Sequence, residues 1–250
     1  LLFAGCGAAP PSSQIAPYEA AESAASPRSR GVPELNVLRV RILADAGFRG
    51  HVAGWRLRAR ALVQRANQSL TGVLPLRFEV TAVQTWERGA GGGALPAALD
   101  ALEAVDPAGD VDLVVGLVGP LPAYHEALHE LGMARLMGRH MVIRAVPEPQ
   151  GAVVLLHEWA HTLGALHTTD LNTFMFHVYH RDQARFGPEN LALIRLGLRH
   201  RAAIDKGTGT LSGWREALVA EVKREASAWP EQDVSALVAL LEARRGSSDL

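Results

Sequence analysis

His157-Glu158-Trp159-Ala160-His161-Thr162-Leu163-Gly164-Ala165-Leu166-His167 decides how this chain reads. The stretch spells H-E-x-x-H-x-x-G-x-x-H, three imidazoles and one carboxylate at fixed spacings. Residues four apart on an α-helix share a face, so His157 and His161 can each aim a ring nitrogen at one ion. Glu158 projects beside that ion rather than onto it, where a carboxylate can polarise a water and carry its proton. Gly164 accepts the backbone angles of a sharp turn, and the turn brings His167 back as a third ligand. Three protein ligands leave a fourth position for water and substrate, as a catalytic zinc site requires. The apolar run Ala152-Val153-Val154-Leu155-Leu156 just upstream predicts a helix buried under a sheet. Polar ligands on a buried helix need a reason to be there, and a metal supplies it. Three unrelated helix histidines are the plainer reading, and Glu158, Gly164 and Met175 all standing in place argue against it.

With these residues in view, the chain resembles the metzincin metallopeptidases, which carry this motif and a downstream methionine turn. Met175 follows in Asn172-Thr173-Phe174-Met175-Phe176, eight residues after His167. That gap is similar to the matrixin branch, and archaemetzincins share it. Asp170 and Tyr179 also match a matrixin-like pattern. The resemblance implies a zinc metalloprotease, a hydrolase with one catalytic Zn2+ held by His157, His161 and His167. It implies Glu158 as general base and then general acid, and Met175 as an apolar floor that does not ligate. It implies a substrate pocket lined by Phe176, His177 and Tyr179. His177 stands where a matrixin-like wall has proline and where astacin-like members have a tyrosine that approaches the zinc. It therefore reads as a pocket-rim histidine, a switchable fourth ligand or a transition-state donor. Thr168 and Thr173 occupy the positions of archaemetzincin-like cysteines, so a second, structural zinc is not expected. The resemblance is carried by residues 152–179. The implied function is zinc-dependent endopeptidase activity. The alternatives are a non-catalytic zinc-binding surface lipoprotein that recognises peptides, and a zinc amidase acting on cell-wall peptides.

A second H-E-x-x-H lies thirty-two residues earlier, at His125-Glu126-Ala127-Leu128-His129. Arg135 stands where a third histidine would fall, and a guanidinium is a poor neighbour for a cation. Pro120 and Pro122 precede it, so a short amphipathic surface helix explains the segment. A secondary metal site or a place in the substrate cleft are the other readings.

The 250 residues suffice for one good core with small appendages. A net charge of -1 and 6% aromatic content argue against a polyanion-binding surface, so nucleic acid is not an expected partner. No apolar run reaches the roughly 18 residues of a membrane-spanning helix. Cys6 is the one cysteine and cannot form an internal disulfide. Leu1-Leu2-Phe3-Ala4-Gly5-Cys6-Gly7 resembles the end of a bacterial lipoprotein signal peptide, cleaved before a cysteine that then takes lipid. An incidental cysteine in a frayed terminus is the plainer reading. A thiolate from a pro-segment capping the zinc is a third, and the flanking residues do not resemble that motif. The expected organisation is a signal remnant at 1–6, an Ala/Pro/Ser-rich tether at 7–33, and a catalytic domain at 34–250 with a helical part from about 186. The expected location is extracytoplasmic, periplasmic or at the cell surface, with the enzyme held on a membrane through Cys6.

Alternation of Leu38, Val40, Ile42 and Ala44 predicts a first strand. Trp55, Ala59, Leu62, Val63, Ala66 and Leu70 mark one face of a helix over 55–70. A second strand is predicted over 76–82, a short helix over 96–105, and a strand covered on both faces over 111–118. An edge strand at 131–136 and another strand at 140–146 precede the motif helix. The glycine-rich 89–93 segment lacks a following G-K-[ST], so it is no phosphate cradle. The expected fold is α/β (α+β), a metzincin-like zincin: a twisted, mixed, mostly parallel sheet with an antiparallel edge strand and backing helices. Three helices are predicted beyond the methionine, over 188–203, 212–226 and 230–245, the last with an apolar stripe of Val234, Leu237, Val238 and Leu241.

Overall fold

A computed structural model describes residues 36–88, 94–121 and 128–243. Cys6 with the 1–33 segment, the 89–93 loop, His125 and Glu126 lie outside these residues, as does the side chain of His129. The elements in chain order are β1 (Asn36–Ala44), α1 (Ala46–His51), α2 (Trp55–Leu70), β2 (Leu76–Thr85), α3 (Leu95–Val105), β3 (Leu113–Val118), α4 (Leu128–Leu131), β4 (Gly132–Ala134), β5 (His140–Arg144) and α5 (Gln150–His161). Three longer helices follow: α6 (Pro188–Asp205), α7 (Leu211–Arg224) and α8 (Glu231–Ala243).

The strands form one sheet in the order β2-β1-β3-β5-β4. Neighbours pair in parallel except β4, which runs antiparallel to β5 at the edge. This is the mixed α/β sheet expected, mostly parallel with one antiparallel edge strand. Both faces are covered. Val40, Ile42 and Val115 face one core with Ala59, Val63, Ala66 and Leu70 of α2 and Val154 and Leu155 of α5. Leu43, Val114, Val118 and Val142 face a second core beneath α3. All six residues of β3 are buried, which is why that segment reads as an unbroken apolar run.

The expected boundaries shift where local signals are weak. Helix α1 is absent from the sequence expectation because six residues carry too little periodicity. Asp45 starts it by accepting a hydrogen bond from the Phe48 amide at 2.7 Å. The β1–β2 register slips between Val40 and Arg41, and the Thr81 hydroxyl donates to the Val40 carbonyl there at 3.1 Å. The edge strand is shorter than 131–136. Leu131 completes α4, and Arg135 enters a turn in which the Gly138 amide bonds its carbonyl at 2.9 Å. Arg135 itself pairs with Glu103 at 2.8 Å and Asp100 at 2.5 Å, both on α3. Its role is to tie the edge hairpin to that helix. Among the described residues, no helix is long and apolar enough to cross a membrane.

Candidate metal centre

Helix α5 is buried along nearly its whole length, with His157 1% and Glu158 3% exposed. Trp159 packs edge-on against Phe78 of β2, ring centroids 5.2 Å apart, and so fixes the rotation of the helix under the sheet. Its end is held from α6, where Arg201 donates to the Thr162 carbonyl at 3.1 Å and to Gly138 at 2.5 Å. Gly164 then turns the chain at φ +96°. A Cβ at that position would also fall 2.7 Å from Leu218 of α7, so both backbone angle and space demand glycine. Beyond the turn, the buried Asn190 side chain of α6 grips Leu166 twice. It accepts from the Leu166 amide at 2.9 Å and donates to its carbonyl at 2.8 Å. His167 follows immediately.

The turn brings the three histidines together: their ligand-capable nitrogens lie within 4.8 Å of one another. Each ring is oriented from behind. His157 Nδ1 donates to the Phe174 carbonyl at 2.7 Å, and His161 Nδ1 to the Ala165 carbonyl at 2.8 Å. His167 Nδ1 donates to Asp233 Oδ2 of α8 at 2.8 Å. A carbonyl only accepts, so the proton sits on Nδ1 and the lone pair on Nε2. The Nε2 atoms of His157 and His161 face each other at 3.0 Å. Two bare lone pairs that close repel unless a cation draws them, and three imidazole nitrogens are the donor set of a catalytic zinc site. Burial pushes the His157 imidazolium well below its usual range, and burial together with His167 pushes His161 down to about 3. Both rings therefore stand neutral, in the ligating form, at pH 7.

Glu158 is pushed the other way: burial raises its carboxyl well above the usual range. Its side chain lies against Gly132, the first residue of β4. A Cβ there would fall 2.6 Å from Glu158 Cγ and 2.7 Å from Oε1. The edge strand thus borders the carboxylate directly.

Met175 is fully buried, and its carbonyl accepts the Thr168 amide at 3.0 Å. The preceding Phe174 carbonyl is the acceptor for His157, so this turn is joined to both ends of the histidine motif. The hydroxyls of Thr168 and Thr173 meet at 2.7 Å and close the loop between them. Asp170 pairs with Arg185 at 2.7 Å. Phe176 is half-buried, and the exposed His177 ring lies 4.7 Å from it. His177 does not join the three convergent histidines. Tyr179 is half-buried and packs against the core. The His177 carbonyl accepts the Leu128 amide at 3.0 Å, which joins the start of α4 to this turn.

Four residues of this centre went unread in the sequence: Asp233, Asn190, Gln183 and Arg201. Gln183 donates to the Val178 carbonyl at 3.1 Å and to Phe176 at 3.3 Å, and accepts the His180 amide at 3.0 Å, which shapes the 176–183 wall. No motif spacing announces any of them. They are set by tertiary packing.

No family model matches the chain, and no curated protein sequence does. Among solved structures it is similar to an archaemetzincin from Methanopyrus kandleri, at 22% identity and a TM-score of 0.49, over 67% of this chain and 99% of that one. It is also similar to a chain in a chaperone-substrate complex, at 14% identity and a TM-score of 0.49, over 65% of this chain and 34% of the other.

Proposed function

We propose that this protein is a zinc-dependent endopeptidase. The observation that carries the reading is the set of three histidines with every Nδ1 already engaged and every remaining nitrogen convergent, beside a buried glutamate. His157, His161 and His167 would hold the ion, which when bound supplies Lewis acidity toward water and toward a peptide carbonyl. Glu158 accepts the proton of the attacking water on its carboxylate. The same group then gives the proton to the departing amine. Met175 supplies an apolar floor, and Phe176, His177 and Tyr179 form one wall of the side-chain pocket. A peptide strand would add along β4, which ends the sheet and touches Glu158 through Gly132.

The test is a substrate panel on the full chain: an unfolded casein-type protein, short peptides, and amide-linked cell-wall peptides. Protein digestion that stops with a zinc chelator and returns with added zinc supports the endopeptidase. Turnover confined to the cell-wall amides would replace it with an amidase. We further propose that Cys6 carries a lipid anchor in an extracytoplasmic compartment, on the strength of the Leu1–Gly7 string. Incorporation of radiolabelled palmitate, lost in Cys6→Ser, tests it.

A further inference from the structure

Two of the three histidines lean on backbone carbonyls of their own neighbourhood, Phe174 and Ala165. His167 alone leans on a carboxylate, and that carboxylate comes from 66 residues away. His167 is also the ligand outside α5, beyond the Gly164 turn, so no helical register sets the direction of its side chain. Its side chain keeps 31% exposure and Asp233 keeps 20%. A half-open ring on a loop can rotate away from an ion unless something holds its far nitrogen. We infer that Asp233 is a positioning residue for the third metal ligand, and that docking of α8 is thereby coupled to metal capture. The inference rests on the reading of the three histidines as a metal site.

The chemistry favours this assignment. A carboxylate behind an imidazole fixes the Nδ1–H tautomer, sets the ring plane and makes Nε2 a better donor. It also brings a negative charge toward a site whose three ligands are neutral. Helix α8 is anchored for the task by Leu237 and Leu241, 7% and 1% exposed. The competing explanation is local: Asp233 and Glu231 are both acids in the first turn of α8, where they favour the helix dipole. Glu231 has the dipole role without the histidine, so it separates the two.

The experiment measures zinc affinity of the full chain by competition with a chromogenic chelator, for wild type, Asp233→Ala, Asp233→Asn, Glu231→Ala and His167→Ala. Melting of each metal-free protein and the visible spectrum of each Co2+-loaded protein are read alongside. Asp233→Ala is expected to weaken zinc binding about 10- to 100-fold and to alter the Co2+ spectrum. Asp233→Asn, which keeps an acceptor oxygen, is expected to lose less. Glu231→Ala is expected to bind as wild type does, and metal-free Asp233→Ala to melt below metal-free Glu231→Ala, because it alone loses the bond to His167. Wild-type affinity in Asp233→Ala, with His167→Ala impaired, would overturn the positioning role and leave the metal site standing. Equal losses in Asp233→Ala and Glu231→Ala would overturn it in favour of the helix-end role. Zinc binding that is weak in wild type and unchanged in His167→Ala would remove the metal reading itself, and this inference with it.

Discussion

Gly132 and Gly164 each place a specific demand on a single residue in this centre. At Gly132 the demand is space beside Glu158. Gly132→Ala is expected to displace the carboxylate while leaving the histidines alone. Zinc affinity should stay near wild type and turnover should fall on the order of 100-fold or more, the range of a misplaced acid–base group. An unchanged rate would show that Glu158 tolerates a new position. At Gly164 the demand is both a positive φ and clearance from Leu218. Gly164→Ala should cost about 1–3 kcal/mol for the backbone alone, read as a lower denaturation midpoint, with further loss from the contact. His157 and His161 were legible in the sequence because helical spacing alone encodes the face they share; Glu158 and His167 were legible only through the full motif, with Gly164 marking the turn. Asp233 and Asn190 were not, since their partners are 66 and 24 residues away and no periodic rule links them.

The same contrast holds for elements. Helix α2 is found with the expected ends, because its stripe of apolar positions runs four turns and Gly72 follows it. Helix α3 was expected only as a short helix starting at 96, yet its eleven residues anchor a second core through Leu95, Leu99 and Leu102. A helix of that length is marginal in isolation, whereas each leucine buried stabilises by about 1.5–3 kcal/mol. Leu99→Ala should therefore destabilise by about 2–5 kcal/mol, and chemical denaturation measures it. A change within about 0.5 kcal/mol would mean α3 does not hold that face. Leu43 illustrates why this core was missed: it alternates with Ile42 and Ala44 as an outward residue should, but α3 covers it. Strand β4 was drawn too long because the chain turns after Arg135: its amide still bonds the His140 carbonyl at 2.9 Å, but its own carbonyl is taken by Gly138 in the turn and its side chain is drawn aside to Glu103 and Asp100.

Across the whole molecule, the sheet and α5 carry the histidine motif, and the three late helices each contribute to the centre. Arg201 and Asn190 come from α6, Leu218 from α7 and Asp233 from α8. The sequence foretold three helices there but not that they complete the site, because an apolar stripe reports burial without naming the partner. This construction has a pH signature in the metal-free protein. His161 is held at about 3 against 6.5 for an ordinary histidine, and His157 is lowered too. Between these values the unfolded chain binds more protons than the folded one, so stability is full above 6.5 and falls as pH drops through the window. Chelator-treated protein should melt lower at about pH 5 than at about pH 7, and His161→Gln should narrow that gap; an equal gap in the variant would contradict the assignment. The central claim, a histidine-held zinc that works with Glu158 on peptide bonds, is tested most directly by measuring zinc content and peptide cleavage together in wild type and Glu158→Ala. About one zinc per chain in both proteins, with cleavage by the wild type alone, is the expected result. Cleavage by both proteins, or a wild type that cleaves while holding no zinc, would contradict it.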